Sequence, residues 1–445
     1  MFGKVLVANR GAVAARVLRC LNSMNIASVA VYSDADADAP YLELATETVR
    51  IGEGPPKASY LDQNAILNAA RAVGVDGLHP GYGFLSENAG FAQAVCDAGI
   101  AFIGPSPRWI ETMGHKARAR ELAAESGLPV CRGSGVLDGK ASAVENARDI
   151  GFPIMVKPAA GGGGIGMLPV RNEGELAAAI EKASSLAMRG FGNGDVYLER
   201  LLERPRHIEF QVLGDRHGGL RHLFERDCSV QRRNQKVIEE APAPFIPRQM
   251  LTELADRIAA SLRSLGYDSI GTVEMLMGAD GTFTFLEMNT RLQVEHGVTE
   301  QVCGIDLVAA QIRSAAGEMV NAILPDEIRV RGHAIEARIC AEDPIRFLPS
   351  SGRLETFRFP SGPEIRLETG YREGCVVTPY YDSLLAKLIV SAPTRSAAID
   401  GLVTTLESVE IAGVKTNIPA ILKLLRTQSF QDGPFDTGLV ADTIR

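Results

Sequence analysis

Two alternating apolar runs joined by a short turn constrain this chain most. Thr272-Val273-Glu274-Met275-Leu276-Met277 and Thr282-Phe283-Thr284-Phe285-Leu286-Glu287 flank Gly278-Ala279-Asp280-Gly281. A period of two in β-branched and aromatic residues marks strands, and the glycines mark a turn between them, so the stretch reads as an antiparallel hairpin. Side chains alternate faces along a strand, which puts Phe283, Phe285, Glu287 and Asn289 on one face, joined by Arg291 if the strand persists. Pairing Met277 with Thr282 sets Glu274 opposite Phe285 and diagonal to Glu287, at about 7–8 Å. Two carboxylates and an amide oxygen are hard ligands, suited to Mg²⁺ that also holds substrate phosphates and not to zinc. A solvated edge would explain an isolated Glu-x-Asn. Here Arg291 and Glu295 follow at once, and such charge beside an apolar strand calls for a bound partner or ion.

At 445 residues the chain exceeds what one core usually covers, and two or three domains are expected. Apolar residues make up 46% and charged residues 22%, as in a soluble globular protein. A formal net charge of −8 argues against nucleic acid as the main partner. The seven cysteines form no C-x-x-C pair, which points to reduced thiols and a cytoplasmic setting. No apolar run approaches a membrane span, so no membrane is expected as a partner. Met1 to Ala8 reads as a short strand and not as a signal peptide.

Alternating β and α signals open the chain. Residues 4–8 read as a strand, Asn9-Arg10-Gly11 as a turn, Ala12 to Leu21 as a helix and Ser28 to Tyr32 as the next strand. The pattern predicts a doubly wound, Rossmann-like first domain. NAD binding with Asp34 on a ribose is disfavoured, because the turn holds one glycine where the dinucleotide fingerprint needs three. Later, a strand ending at Lys157 runs into Ala159 to Met167, with five glycines in six positions from Gly161 to Gly166. Such a run is neither strand interior nor stable helix. It reads as a mobile loop whose amides, Gly163 and Gly164 among them, close over phosphates. It is not a P-loop, since Gly139-Lys140 lacks the required glycine spacing and the following Ser or Thr. Val196 to Glu199 and His207 to Val212 read as strands. Glu225 to Lys236, if extended, puts Arg232, Asn234 and Lys236 on one face, and Cys228 reads as a small packed residue. Gly332 to Cys340 alternates again, with Glu336 and Arg338 on its polar face. The remainder has the size of a third domain.

Six stretches, in order, resemble one family: K-V-L-V-A-N-R-G (4–11), H-P-G-Y-G-F-L-S-E-N (79–88), G-G-G-G-I-G-M (161–167), E-R-D-C-S-V-Q-R-R-N-Q-K (225–236), E-M-N-T-R-L-Q-V-E-H (287–296) and G-H-A-I-E-A-R (332–338). Together they resemble a biotin carboxylase of the ATP-grasp superfamily. The resemblance implies a mixed α/β and α+β chain. A Rossmann-like domain would span 1–113, an ATP-grasp core 114–329 with a glycine-loop lid at about 131–203, and a C-terminal biotin carboxylase domain 330–445. It implies that Lys116 and Lys157 hold ATP phosphates. Glu199 and the backbone of Arg200, Leu201 and Leu202 would form the adenine hinge. His207, Gln231 and Asn234 would lie along the nucleotide. Glu274, Glu287 and Asn289 would bind Mg²⁺ or Mn²⁺, in agreement with the hairpin argument. Lys236, Arg291, Gln293 and the Val294 amide would hold bicarbonate, Glu295 would be the general base, and Arg338 would meet biotin.

The chemistry calls for these residue types. Bicarbonate attacks only once its proton leaves, so a carboxylate must stand within hydrogen-bond reach. Attack on the γ-phosphate gathers negative charge that cations must offset. The product, carboxyphosphate, hydrolyses readily, so a lid should exclude water. Biotin then develops an enolate-like oxygen, for which arginine is a permanent cation. Two positions depart from the common pattern: Asn234 where many members have histidine, and Ile165 where many have arginine. Both resemble the urea-carboxylase branch. The chain carries no A-M-K-M-type biotinylation site, so the resemblance implies a biotin carboxyl carrier protein and a carboxyltransferase on other chains, or a place within a longer chain, with a homodimer as one option. The final acceptor, acyl-CoA or urea/guanidine, stays open. The competing readings are another ATP-grasp carboxylate–amine ligase and a non-catalytic ATP-binding subunit. Arg338 and the Q-R-R-N-Q-K run favour the first reading over the ligase, and the intact acidic set argues against a decayed subunit.

Overall fold

The computed structural model describes residues 1–160 and 166–444. A five-stranded parallel sheet opens the chain, in the order β3-β2-β1-β4-β5. Its strands are β1 (Lys4–Val7), β2 (Ala27–Ser33), β3 (Glu47–Gly52), β4 (Gly77–His79) and β5 (Ala101–Phe102), with helices α1 (Gly11–Ser23), α2 (Gln63–Ala72) and α3 (Ala89–Asp97) between them. This is the doubly wound unit that the βα alternation predicts. Side chains start its helices: Asp62 accepts from the Ala65 amide and Asn88 from the Phe91 amide, each satisfying a donor that the first helical turn leaves free. Asp34, the disfavoured ribose ligand, pairs instead with Arg50.

Helices α4 (Pro107–Gly114) and α5 (Lys116–Glu125) lead into a separate four-stranded antiparallel sheet, in the order β6-β9-β7-β8. It comprises β6 (Gly133–Val136), β7 (Ile154–Pro158), β8 (Leu168–Val170) and β9 (Val196–Arg200), covered by α6 (Lys140–Ile150) and α7 (Glu173–Phe191). Ile154, Val156, Val170, Leu176, Ala183 and Leu198 form its own small core. Of the glycine loop expected between Ala159 and Met167, residues 161–165, including Gly163, Gly164 and Ile165, lie outside the described residues.

Eight of the remaining strands build one antiparallel sheet, β14-β13-β10-β11-β12-β15-β20-β18. It takes in β10 (Arg206–Gly214), β11 (Leu220–Arg232), β12 (Gln235–Ala241), β13 (Ile270–Met277), β14 (Phe283–Asn289), β15 (His333–Cys340), β18 (Ile365–Thr369) and β20 (Leu384–Ala392). Two small ribbons, β16 (Gly352–Arg353) with β19 (Val376–Val377) and β17 (Thr356–Arg358) with β21 (Glu410–Ala412), lie outside it. The β12–β15 pairing makes the sheet continuous from the hairpin to the C-terminal strands. Helix α8 (Arg248–Leu265) packs against β11 and β10, with Leu251, Ile258 and Leu262 in the shared core. Helix α9 (His296–Cys303) begins just after Glu295 and packs against β11, β12, β15 and β20. Among the described residues no helix is long and apolar enough to cross a membrane. All seven cysteines are free, and Cys228 is buried, as a packed residue should be.

Candidate active site

A cavity of about 580 Å³ lies between the four-stranded sheet and the hairpin end of the large one. Met155, Met167, Leu276 and Leu286 supply its apolar walls. Lys157, the last polar residue of β7, bonds Glu199 of β9 at 2.5 Å, with both side chains buried. Strands β7 and β9 pair directly in antiparallel register, which holds the two residues at the cavity edge. Arg200, Leu201 and Leu202 continue along the rim. The Leu201 amide is tied to the Pro153 carbonyl at 3.0 Å and the Arg200 amide to that of Arg132 at 2.8 Å, so this edge is rigid. Lys116 enters from the start of α5, its Nζ 2.7 Å from Glu287. Burial alone would lower its pKa, but Glu287 outweighs that and raises it. His207 and Gln231 face each other, with Nδ1 and Nε2 2.6 Å apart. The other His207 nitrogen is 3.0 Å from Glu274. Burial opposes a charged imidazole here, and the Glu274 carboxylate more than offsets it, raising the His207 pKa.

The hairpin differs from its simple alternating register. Met277 pairs with Phe283, Leu276 with Thr284 and Met275 with Phe285; a bulge then leaves Leu286 unpaired and sets Glu287 directly opposite Glu274. The extra residue reverses the facing of the rest of the strand. Phe283 and Phe285 therefore pack in the core with Met288, while Leu286 and Glu287 line the cavity. The phenylalanines do not share the Glu287 face, and the two carboxylates are opposed and not diagonal. Thr272 stands opposite Asn289, whose Nδ2 donates to Glu274 at 2.9 Å. Glu274, Glu287 and Asn289 thus lie close together on the two strands of the hairpin. The run through Lys236 is likewise not one extended strand. Arg233 and Asn234 adopt φ of 50° and 65° and form the tight turn joining β11 to β12. Arg232, Asn234 and Lys236 do not share a strand face. Asn234, a residue that tolerates positive φ, lines the cavity from this turn.

Beyond Glu274 the charges become dense. Lys236 Nζ lies 2.6 Å from Glu209, 3.0 Å from Glu274 and 2.5 Å from Glu295. The second Glu295 oxygen accepts from Arg338 Nη2 at 2.9 Å. Glu295 has 0% exposure. Burial would raise its pKa, but Lys236, Arg338 and Arg226 together hold it well below the usual carboxylate range. Arg291 is fixed on three sides: Nε to Glu87 at 2.8 Å, Nη1 to Gln293 at 3.0 Å and Nη2 to Asn289 at 2.9 Å. Gln293 and Val294 lie between Arg291 and Glu295 on the loop entering α9. Arg338 Nε also donates to Glu239 at 2.5 Å, and the register places Glu239 of β12 opposite Glu336 of β15.

Several residues that hold the site's side chains in place were not singled out in the sequence. Glu87 orients Arg291 and was visible only as part of the 79–88 motif. Arg226, fully buried, donates to Glu209, Gln211 and Thr299 and adds positive charge near Glu295. Glu209 and Glu239 give no local signal, since each acts on strands far away in sequence.

The family model described as biotin carboxylase, N-terminal domain, matches residues 1–110. The one for the carbamoyl-phosphate synthase L chain, ATP binding domain, matches 115–323. The biotin carboxylase C-terminal domain matches 336–442. Biotin carboxylase from Halalkalibacterium halodurans is 48% identical over 100% of this chain and 98% of its own length. The 2-oxoglutarate carboxylase small subunit of Hydrogenobacter thermophilus is 45% identical over 98% of this chain and 93% of its own. The crystal structure of the biotin carboxylase domain dimer from that carboxylase, in complex with MgADP, ADP and bicarbonate, superposes with a TM-score of 0.96 at 44% identity, covering 99% of this chain and 98% of that one. A Campylobacter jejuni biotin carboxylase in complex with β-γ-ATP gives 0.96 at 41% identity, covering 99% of both chains. Spread over the whole length of the chain and in agreement with the geometry of the site, these likenesses make this protein an ATP-dependent ligase of the biotin carboxylase family.

Proposed function

We propose that the chain uses ATP and bicarbonate to carboxylate biotin on a carrier protein through carboxyphosphate, with the roles divided along the sheet. The observation that carries this reading is the Lys236 ammonium, which bonds Glu274 on the nucleotide side and Glu295 on the other. One cation thus joins the phosphate end of the cavity to the base. Lys116 and Lys157 offset phosphate charge, and Glu199 with the 200–202 edge receives the adenine. Mg²⁺, or Mn²⁺, would be held by Glu274, Glu287 and Asn289 and would neutralise the phosphate oxygens. The opposed carboxylates, with the Asn289 amide hydrogen-bonded between Glu274 and Arg291, are a donor set that fits such an ion.

Lys236, Arg291, Gln293 and the Val294 amide hold bicarbonate, and Glu295 takes its proton. Between two cations Glu295 is a weak base. An anion arriving at Lys236 competes for that ammonium and raises the basicity of the carboxylate, so the base becomes competent when the substrate is in place. Arg338, aligned by Glu239, then receives the developing oxygen of biotin while phosphate takes the ureido proton. The carrier and the carboxyltransferase lie on other chains or elsewhere on a longer one. The assembly includes a second copy of this chain, and the setting is the cytoplasm. Asn234 and Ile165 favour a urea or guanidine acceptor, though neither residue belongs to an acceptor site. Reconstitution with the carrier and carboxyltransferase, offering urea, guanidine and acyl-CoA separately, decides that point. The central test is bicarbonate-dependent ATP cleavage stimulated by free biotin. Glu295→Ala should lose both activities with its circular dichroism unchanged. Retention of bicarbonate-dependent cleavage in that variant would end this assignment of the base.

A further inference from the structure

Behind the Val294 amide lie two buried side chains that the reaction scheme leaves without a role. Among the described residues the Val294 N–H has no protein acceptor, so it is free to meet an anion. It belongs to the peptide that begins with the Gln293 carbonyl, and that carbonyl lies 2.7 Å from His296 Nδ1. The next carbonyl, of Val294 itself, accepts from Lys387 Nζ at 2.6 Å. His296 and Lys387 each have 0% exposure. A peptide whose carbonyl is already bound is a stronger N–H donor, because linked hydrogen bonds polarise one another. Turning the first peptide plane would break the His296 bond and swing the Val294 N–H away, and turning the second would break the Lys387 bond and free the residue that carries that N–H.

We propose that Lys387 and His296 are positioning residues for bicarbonate, clamping the two peptide planes on either side of Val294 so that its N–H points at the anion. The tautomer of His296 supports this. Burial, with Lys387, Arg16 and Arg366 nearby, holds the ring neutral far below its ordinary pKa, despite Glu368. A carbonyl can only accept, so the single ring proton is on Nδ1. The remaining nitrogen has no hydrogen-bond partner among the described residues and is 4.0 Å from Glu300. Lys387 is held in turn by Glu368 at 2.6 Å, with Glu336 at 3.8 Å. It pairs across the ladder with Arg338, so neighbouring strands set both the biotin-side guanidinium and the anion-side amide. A lysine serving only stability would be an expensive choice here, since an apolar side chain of similar volume often serves a buried position as well.

The inference rests on the Val294 amide being a bicarbonate donor, and the test separates the two. KM values for bicarbonate and for ATP are measured in ATP cleavage by the whole chain. Lys387→Met and His296→Leu should raise the bicarbonate KM at least tenfold while the ATP KM moves less than twofold. Lys387→Arg and His296→Asn, which keep a donor near the carbonyl, should raise the bicarbonate KM only two- to threefold. If the harsher variants do not fold, the milder pair decides. In either pair, an unchanged bicarbonate KM, or an equal rise in both KM values, overturns the proposal. Wild-type cleavage that ignores bicarbonate would instead defeat the underlying reading of the site.

Discussion

The large sheet sets glutamates opposite one another at two places, and the pairs behave in opposite ways. Glu274 faces Glu287 on the hairpin, and Glu239 faces Glu336 between β12 and β15. Around the first pair stand Lys116, Lys236 and His207. Burial pushes the Glu274 carboxyl up, but Lys236 and His207 overcome it and hold Glu274 ionised. Among the described residues the second pair has one hydrogen-bonded cation, Arg338 on Glu239, with Lys387 farther off at 3.8 Å from Glu336. Burial outweighs Arg338 and takes Glu239 up to about 7. It takes Glu336 up to about 8, against Lys387 and Arg338, with Glu239 and Glu368 adding repulsion. Both Glu336 oxygens and one of Glu239 have no hydrogen-bond partner among the described residues. The same backbone geometry therefore gives an anionic cation site in one place and a proton-holding support in the other. The number of cations within reach decides which.

The largest effect expected from breaking this contrast is at the first pair. Glu287→Gln removes one negative charge and the partner of Lys116, and kcat for ATP cleavage should fall by about 10²–10³, the range seen when one preorganised electrostatic contact is lost. Circular dichroism should not change, because Glu287 faces the cavity and not a core. Full activity would remove the carboxylate pair from the nucleotide chemistry. Next in size is Arg338→Ala, which takes the hydrogen-bonded cation from the second pair. Biotin carboxylation should drop by about 10²-fold or more, while bicarbonate-dependent ATP cleavage, still served by Lys236 on Glu295, falls by less than about tenfold. Equal losses in the two assays would show that Arg338 acts before carboxyphosphate forms.

A smaller effect should separate the pairs by pH. Glu336 is raised from its unfolded value of 4.5 to about 8. The folded chain then holds a proton that the unfolded chain has released, so stability is fully present below about 4.5 and declines as pH rises toward 8. Glu336→Gln should flatten that decline by an amount on the order of 2 kcal/mol, read from denaturant titrations at pH 5 and pH 8. Identical slopes in wild type and variant would mean that Glu336 is ionised in the fold.

Much of the first pair was legible in the sequence, and almost none of the second. Glu274, Glu287 and Asn289 fall within one hairpin, where alternation and a glycine turn bring distant atoms together by local rules. Even there the bulge at Leu286 was invisible, because the run is equally apolar whether or not one residue is skipped. The turn at Arg233 and Asn234 was hidden for a related reason: polar residues on both sides disguise where a strand reverses. Glu239, Glu336 and Lys387 meet through pairings among three strands that are far apart in the chain. Nothing in β12 announces that β15 will be its neighbour. Arg338 and Glu295 stood out as charges beside apolar strands, but the roles expected of them came only from motifs that resemble a known family. The carboxylates that support them carry no such signature in a single chain.

The smallest effect concerns the turn that aims the shared cation. Lys236 is opposite Gln231, and the two-residue turn at Arg233 and Asn234 closes that ladder. Lys236 is the ammonium whose reach to Glu274 helps hold the first pair ionised, so the turn helps set the contrast. Asn234 has φ of 65°, a region that asparagine and glycine enter at little cost and alanine does not. Asn234→Ala should therefore destabilise the chain by about 1–2 kcal/mol, and Asn234→Gly should leave stability near wild type. Both variants lose the side chain that lines the cavity. If that side chain meets the nucleotide, ATP affinity should fall in the two variants alike, by about 0.5–1.5 kcal/mol for one neutral hydrogen bond. If only the turn matters, affinity should follow stability, reduced in Asn234→Ala and intact in Asn234→Gly. Calorimetric titration of ATP beside thermal unfolding of the same samples separates the two cases.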